Sequence, residues 1–219
     1  MKLKEIRTEV DILIDDDSYD SIAVDGYINQ ALAYTAGLID LPSLKRIGTV
    51  TTVVDQAYAN ILDEVSDFSV SRLKRVKTSD GGSPDVYASV WALMDNYPTM
   101  EEAGDVEAVA VEGNRLWYQK VPEAAETLVI GYMIEPSRLT LDDDEPEDIP
   151  EHLQRALLVH GTAWMIMDQK EENVDSQKFN TKSHFWLAFH EDNRSSGLCQ
   201  LRAWVSRCRK NYSYGIWRY

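Results

Sequence analysis

The sequence predicts an α+β fold: a helical bundle formed from both chain ends with an inserted antiparallel β-domain. Three observations predict it. Apolar residues recur at helical spacing as far as Leu41, the period changes to two in the middle of the chain, and helical spacing returns after Ile149-Pro150. The expected division is residues 1–45 and 141–210 for the bundle, 46–140 for the β-domain and 211–219 for an extended C-terminal arm. Helices and strands are segregated instead of alternating, which argues against α/β.

Leu3, Ile6, Val10 and Leu13 make the apolar stripe of a first short helix, which stops at Asp15-Asp16-Asp17. Val24, Tyr27, Ile28, Ala31, Leu32, Thr35 and Leu38 make the face of a second, ended by Leu41-Pro42 because the residue before proline disfavours helix. From Ile47 onward β-branched residues alternate, and strands are expected at Thr49–Val54, Phe68–Val76, Val86–Leu93, Val106–Val111, Leu116–Val121 and Leu128–Ile134. Gly113-Asn114 sits between two runs as a hairpin turn would, so the last three strands read as an antiparallel meander. Ser79 to Pro84 reads as an exposed loop. After the acidic run Asp142 to Asp148, Leu153, Leu157, His160, Trp164 and Met167 form one stripe, with Leu158, Met165 and Ile166 opposite. That helix is covered on most faces and centres the core, which is expected to hold Ile28, Leu32, Leu157, Trp164 and Met167 together. Phe179, Trp186, Phe189, Leu198, Leu201, Val205 and Cys208 continue the pattern, with a break at Ser195-Ser196-Gly197.

The 219 residues carry 22 basic and 37 acidic side chains and a formal net charge of −15, which excludes nonspecific binding to DNA phosphates as the main business of the chain. The charge is segregated. Residues 1–150 hold 12 basic and 30 acidic groups, whereas residues 151–219 hold 10 and 7. Six basic residues and no acid follow from Arg194 onward, so the C-terminal end is expected to meet an acidic surface. No apolar run approaches the roughly 20 residues a membrane helix needs, and acidic residues stand where a signal peptide would be apolar. A soluble protein made in a cytoplasm, without membrane contact, is the expectation.

No phosphate-binding glycine loop, nucleophile elbow or zinc-binding His-Glu-x-x-His occurs, so neither an enzyme nor a cofactor is expected. His160 lies on an apolar stripe and reads as a hydrogen-bonded core or interface residue, while His152, His184 and His190 read as helix-surface residues. Cys199 and Cys208 read as free thiols packing a helix seam. Asp142 to Asp148 lacks the ligand spacing and turn glycine of a calcium loop and reads as a solvated linker. The last nine residues differ from the rest, with Tyr212, Tyr214, Trp217 and Tyr219 beside Ile216 and Arg218. They either fold back over their own core or form an arm that anchors aromatics and arginine in a partner's groove, steered there by Arg207, Arg209 and Lys210. The arm is the reading adopted.

Asp25-Gly26-Tyr27-Ile28-Asn29-Gln30-Ala31-Leu32, followed by Leu41-Pro42-Ser43-Leu44, is similar to the first helices of tailed-bacteriophage head-to-tail adaptor (connector, head-completion) proteins. Gly113, Leu116-Trp117-Tyr118, Pro122, Leu128, Tyr132, Pro136, Leu139 and Ile149-Pro150 resemble the family's passage from sheet to helix. The chain departs from it at Ile61-Leu62-Asp63-Glu64, where the family often has a proline. The resemblance implies a structural virion protein of the neck, assembled in the host cytoplasm. It would form a ring, usually of twelve copies, beneath the portal protein. Such a ring extends the channel through which genomic DNA passes without sequence-specific binding, and it offers a platform for tail or nozzle proteins. The portal-binding residues would then be Arg207, Arg209, Lys210, Tyr212, Tyr214, Ile216, Trp217, Arg218 and Tyr219. Another tail-completion component, or a small hydrolase built from dispersed carboxylates, stands as the alternative. The charge on each copy further predicts a subunit that is monomeric or weakly associated until the portal templates the ring.

Overall fold

A computed structural model describes residues 1–15, 19–68, 73–169, 184–190 and 194–212. It combines helices and sheets in an α+β arrangement, and the chain divides into two compact units: Met1–Ser43 with Pro136–Tyr219, and Leu44–Glu135.

In the first unit, α1 (Leu3–Ile14) buries Leu3, Ile6, Val10 and Ile14. Helix α2 (Ser21–Leu38) starts where the Asp20 side chain accepts from the Ala23 amide at 2.7 Å, and it buries Val24, Ile28, Ala31, Leu32, Thr35 and Ala36. Leu38, expected inside, remains 40% exposed at its end. After Pro150 comes α4 (Glu151–Gln154), a π turn (Arg155–Val159) and then α5 (His160–Gln169). The wide π turn buries three consecutive side chains, Leu157, Leu158 and Val159, which explains apolar residues on several faces of this segment. Trp164 and Met167 are half-buried instead of central, whereas Ile28, Leu32 and Leu157 are fully covered. Residues 184–189 form α6. Helix α7 (Gly197–Tyr212) begins with the Cys199 amide donating to Ser196 Oγ at 3.4 Å and buries Leu198, Leu201 and Val205. It runs two residues into the segment expected to be extended.

The second unit contains two sheets. One has the order β1-β7-β3, from β1 (Lys45–Thr51), β7 (Thr127–Met133) and β3 (Leu73–Lys77), all antiparallel. The other has the order β2-β6-β5-β4, from β2 (Tyr58–Asn60), β6 (Arg115–Tyr118), β5 (Ala108–Glu112) and β4 (Asp85–Tyr87). Val50, Val76, Leu128 and Ile130 from the first sheet share a core with Ala59, Val109, Leu116 and Tyr118 from the second. Burial pushes the Tyr118 hydroxyl pKa well up.

Three expectations about this unit are corrected. Val86–Leu93 is not one strand: Ser89 Oγ accepts from the Ala92 amide at 3.1 Å and starts a helix, α3 (Val90–Asn96). An apolar run of that length does not distinguish a strand from a buried helix, and the serine cap decides it. The sheets are not wholly antiparallel, because α3 and the chain after it carry β4 across to a parallel pairing with β5. Ala108 and Ala110 leave room there for Val90 and Leu93. Finally, β5 and β6 do form the hairpin, with Gly113 at φ +60°, but β7 leaves that sheet for the other one. Thr52 fixes the crossing: its amide donates to the Glu126 carbonyl at 2.8 Å and its hydroxyl accepts from the Glu126 amide at 2.8 Å. The first expected strand is displaced to Lys45–Thr51, and the three-residue β2 went unread because it is too short to show a period.

Candidate docking surfaces

The C-terminal surface rests on α7. Spacing of three and four turns Leu198, Leu201 and Val205 inward, so Arg202 and Arg207 face out on a helix that has four basic residues and no acid. Arg207 is exposed, with Nε donating to the Ala203 carbonyl at 3.3 Å. Arg209, Lys210 and Tyr212 belong to the last turns of the same helix. Tyr214, Ile216, Trp217, Arg218 and Tyr219 lie outside the described residues, as does Phe179.

The acidic run after Leu139 is not simply solvated. It caps α1: the amides of Leu3 and Lys4 donate to the carbonyls of Asp144 and Asp142 at 2.9 and 3.2 Å, satisfying donors that a helix start leaves open. Side chains reinforce the joint. Lys2 and Lys4 reach Asp143 at 3.0 and 3.1 Å, and these hydrogen bonds hold the Asp143 carboxyl below its ordinary pKa. Arg7 grips Asp25 through two bonds of 2.8 Å and Asp142 through one of 3.1 Å, tying α1, α2 and the acidic segment together. Asp144 accepts from the amides of Thr140 and Leu141 at 2.7 and 2.8 Å, bonds that lower its pKa as well. Asn29 completes the seam by pairing both ways with the Leu139 backbone, at 2.9 and 2.8 Å. Sequence reading missed this clamp because Lys2, Lys4 and Arg7 lie more than 130 residues from Asp143 and Asp142; the sequence signal was a basic Lys2-x-Lys4-x-x-Arg7 start and an acidic run of opposite sign.

His160 also differs from expectation. It is half-buried against Phe185, with ring centroids 5.9 Å apart, but its buried Nδ1 has no hydrogen-bond partner among the described residues. Burial, with Arg155 nearby, lowers its pKa and favours the neutral ring. His152 and His184 are exposed, while His190 is half-buried and stacks on Trp186 at 3.8 Å. Cys199 and Cys208 are free thiols.

The outer face of the three-stranded sheet follows from the register. Ile47, Gly131 and Arg75 form one cross-strand row; Thr49, Val129 and Lys77 form the next. Lys45 flanks the first row, and the three strands carry five basic residues and no acid. Ile47 is 71% exposed on this face. A second exposed apolar feature is α3, where Trp91 is 71% exposed on the side away from Leu93, and Met94, one turn on from Val90, is 45% exposed. Neither was legible from period alone.

For chemistry the described residues offer little. An open cleft beside the Thr78–Pro84 loop is lined by Asp80, Asp105, Glu107 and Glu126, with neither histidine nor cysteine. No cluster of metal-ligating side chains occurs among the described residues, and no helix there is long and apolar enough to cross a membrane. A family model described as SU10 adaptor protein matches residues 1–193, which takes in both units and stops short of α7. No curated protein matches the chain.

Proposed function

The chain belongs to the SU10 adaptor protein family and is a phage head-to-tail adaptor; from that premise we propose that it forms a ring beneath the portal, extends the DNA channel and carries the tail. The family assignment over residues 1–193 is the observation that supports this reading, and a structural role in the virion neck goes with it. A conduit must let a polyanion pass without sticking, and a subunit of net charge −15 suits that. Twelve copies is the number adopted for the ring. The same charge keeps isolated subunits monomeric or weakly associated, so the portal acts as the template.

In this reading the bundle of both chain ends supports the portal contact, and the inserted β-unit serves contacts around the ring. Arg207, Arg209 and Lys210 steer α7 to an acidic portal surface. Tyr212, Tyr214, Ile216, Trp217, Arg218 and Tyr219 provide the anchors, residue types that dominate binding hot spots. The experiment is a binding assay with purified portal, followed by electron microscopy of the complex. The full chain should give a ring-bearing particle. Deletion of residues 213–219 should leave the melting temperature nearly unchanged and abolish or greatly weaken binding. A truncated chain that melts far lower places the segment in the core and refutes the arm; a full chain that never binds portal refutes the adaptor ring.

A further inference from the structure

We propose that α6 is an acid-released latch: a proton gained at His160 unseats this short helix from α5 and uncovers the aromatic surface beneath it, while the rest of the bundle stays folded.

The latch is built on rings. Phe185 and Phe189, four residues apart on one side of α6, are 3% and 0% exposed. Phe189 presses on Gly161 and stacks on Trp164, whereas Phe185 lies by the His160 ring with centroids 5.9 Å apart. Trp186 adds a contact with Trp164 at 4.6 Å. A helix of six residues does not hold in water by itself, so α6 depends on these side-chain contacts for its place. His160 and Gly161 are consecutive, so a change at the histidine reaches both phenylalanine anchors.

His160 fits under α6 only as a neutral ring. It is half-buried, and its Nδ1 is buried with no hydrogen-bond partner among the described residues. A neutral imidazole can keep its single proton on Nε2 and turn only a lone pair inward at Nδ1. The imidazolium must bury an N–H there, together with a charge, and no acceptor stands opposite it. Among the described residues the charged and titratable groups facing the ring are Arg155 from the π turn, His184 from α6 and Glu9 from α1. Arg155 is a cation, and His184 can add another on the latch itself. The one acid is already engaged, with Glu9 Oε2 2.8 Å from Arg155 Nε. Burial first, and Arg155 next, therefore keep His160 neutral while α6 is seated. Once α6 leaves, water reaches the ring and its ordinary affinity for a proton returns, so acid favours the open state.

The release is local. Helix α7 has its own seat, where a Cβ on Gly197 would come within 2.9 Å of Leu157. Asp143 and Asp144, held below their ordinary pKa, keep the clamp on α1 charged at pH 5.5.

Hydrogen exchange read by mass spectrometry on the full chain tests the latch, with protection at pH 7.5 and 5.5 corrected for the intrinsic exchange rate. A histidine held neutral when seated and titrating near 6.5 when free multiplies the open population by up to about tenfold between these two values. Peptides spanning 184–190 should lose protection by that factor, while those from α1, α2 and residues 197–205 keep theirs. His160→Phe retains a ring without a titrating nitrogen and should abolish the loss; His160→Asn should do the same and serves if the phenylalanine variant does not fold. His184→Gln should leave most of the loss in place. A dye that fluoresces on apolar surface should bind the unsubstituted chain more at pH 5.5 than at 7.5, and the His160→Phe chain equally at both. Protection of 184–190 that is absent at both values, or unchanged or higher at pH 5.5, overturns the latch. So does a loss that persists in the His160 variants, vanishes in His184→Gln, or spreads to α1, α2 and α7.

Discussion

Gly161 and Phe189 should show a change of sign when substituted together. Phe189 is fully buried, stacks on Trp164 with centroids 5.9 Å apart at 21°, and lies 5.9 Å from Tyr34. Its ring presses on α5 at Gly161, where an added Cβ would come within 3.0 Å of two ring carbons. Alanine in a helix interior is worth about 1 kcal/mol over glycine, so a free site would be stabilised. Here the ring has aromatic neighbours behind it and cannot yield, and forcing a methyl into such a core costs about 1–3 kcal/mol. Gly161→Ala alone should therefore be neutral to about 2 kcal/mol destabilising. Phe189→Ala should cost about 3–5 kcal/mol, and half-buried Trp164→Ala less. In the Phe189→Ala background the new methyl enters the hole, and Gly161→Ala should stabilise by about 1 kcal/mol. Urea unfolding followed by circular dichroism at 222 nm measures all four chains. If Gly161→Ala changes stability equally in both backgrounds, or Phe189→Ala costs under about 1 kcal/mol, the packing of α6 on α5 is wrong.

Arg7→Met should cost about 1–3 kcal/mol by leaving the partly covered Asp25 carboxylate without its two bonds, and adding Asp25→Asn should recover part of that in the same unfolding assay. Asp143 and Asp144 are held below their ordinary pKa, so their contribution is complete above about pH 4 and is lost as pH falls through the folded values. Melting temperature against pH should show this loss, and Asp144→Asn should flatten it. His160 has the opposite charge type and the same sign of slope: its folded pKa is lowered from 6.5, so stability is complete above that value and falls as pH drops below it. His160→Asn should remove that component from the same melts.

Much of the first unit was legible because its signals are local. Leu3, Ile6 and Val10 repeat within one helix, Val24, Ile28, Ala31 and Leu32 within the next, and the break at Ser195-Ser196-Gly197 falls where α7 starts. The aromatic-Ile-Asn-x-Ala-Leu stretch pointed to the family, and Asn29 within it turns out to pair with the Leu139 backbone. What failed depends on partners far away in sequence. Val86 to Leu93 reads equally well as strand or helix until Ala108 and Ala110 are known to stand opposite. No period tells β7 which sheet to join; Thr52 and Glu126 settle that across 74 residues. The exposed apolar residues were harder still. Trp91 exposed and Leu93 buried differ only by their place on one short helix, which the strand assignment had erased.

Charge placement connects the fold to the work of an adaptor. Basic residues concentrate in three places on this acidic chain: the start of α1, the three-stranded sheet and the end of α7. The first group is used within the subunit, because Lys2, Lys4 and Arg7 are occupied by Asp142, Asp143 and Asp25. It joins residues near 140 to the chain's beginning and so closes the unit into which Leu44–Glu135 is inserted. The other two groups lie on β1 and β3 and on α7, where Lys45, Arg75, Arg202 and Arg207 are exposed. Uniform negative charge would repel copies of the chain from one another as strongly as it repels DNA. In the proposed ring, gathering positive charge on α7 would let a subunit of net charge −15 meet an acidic portal surface there while the rest of it stays unattractive to DNA.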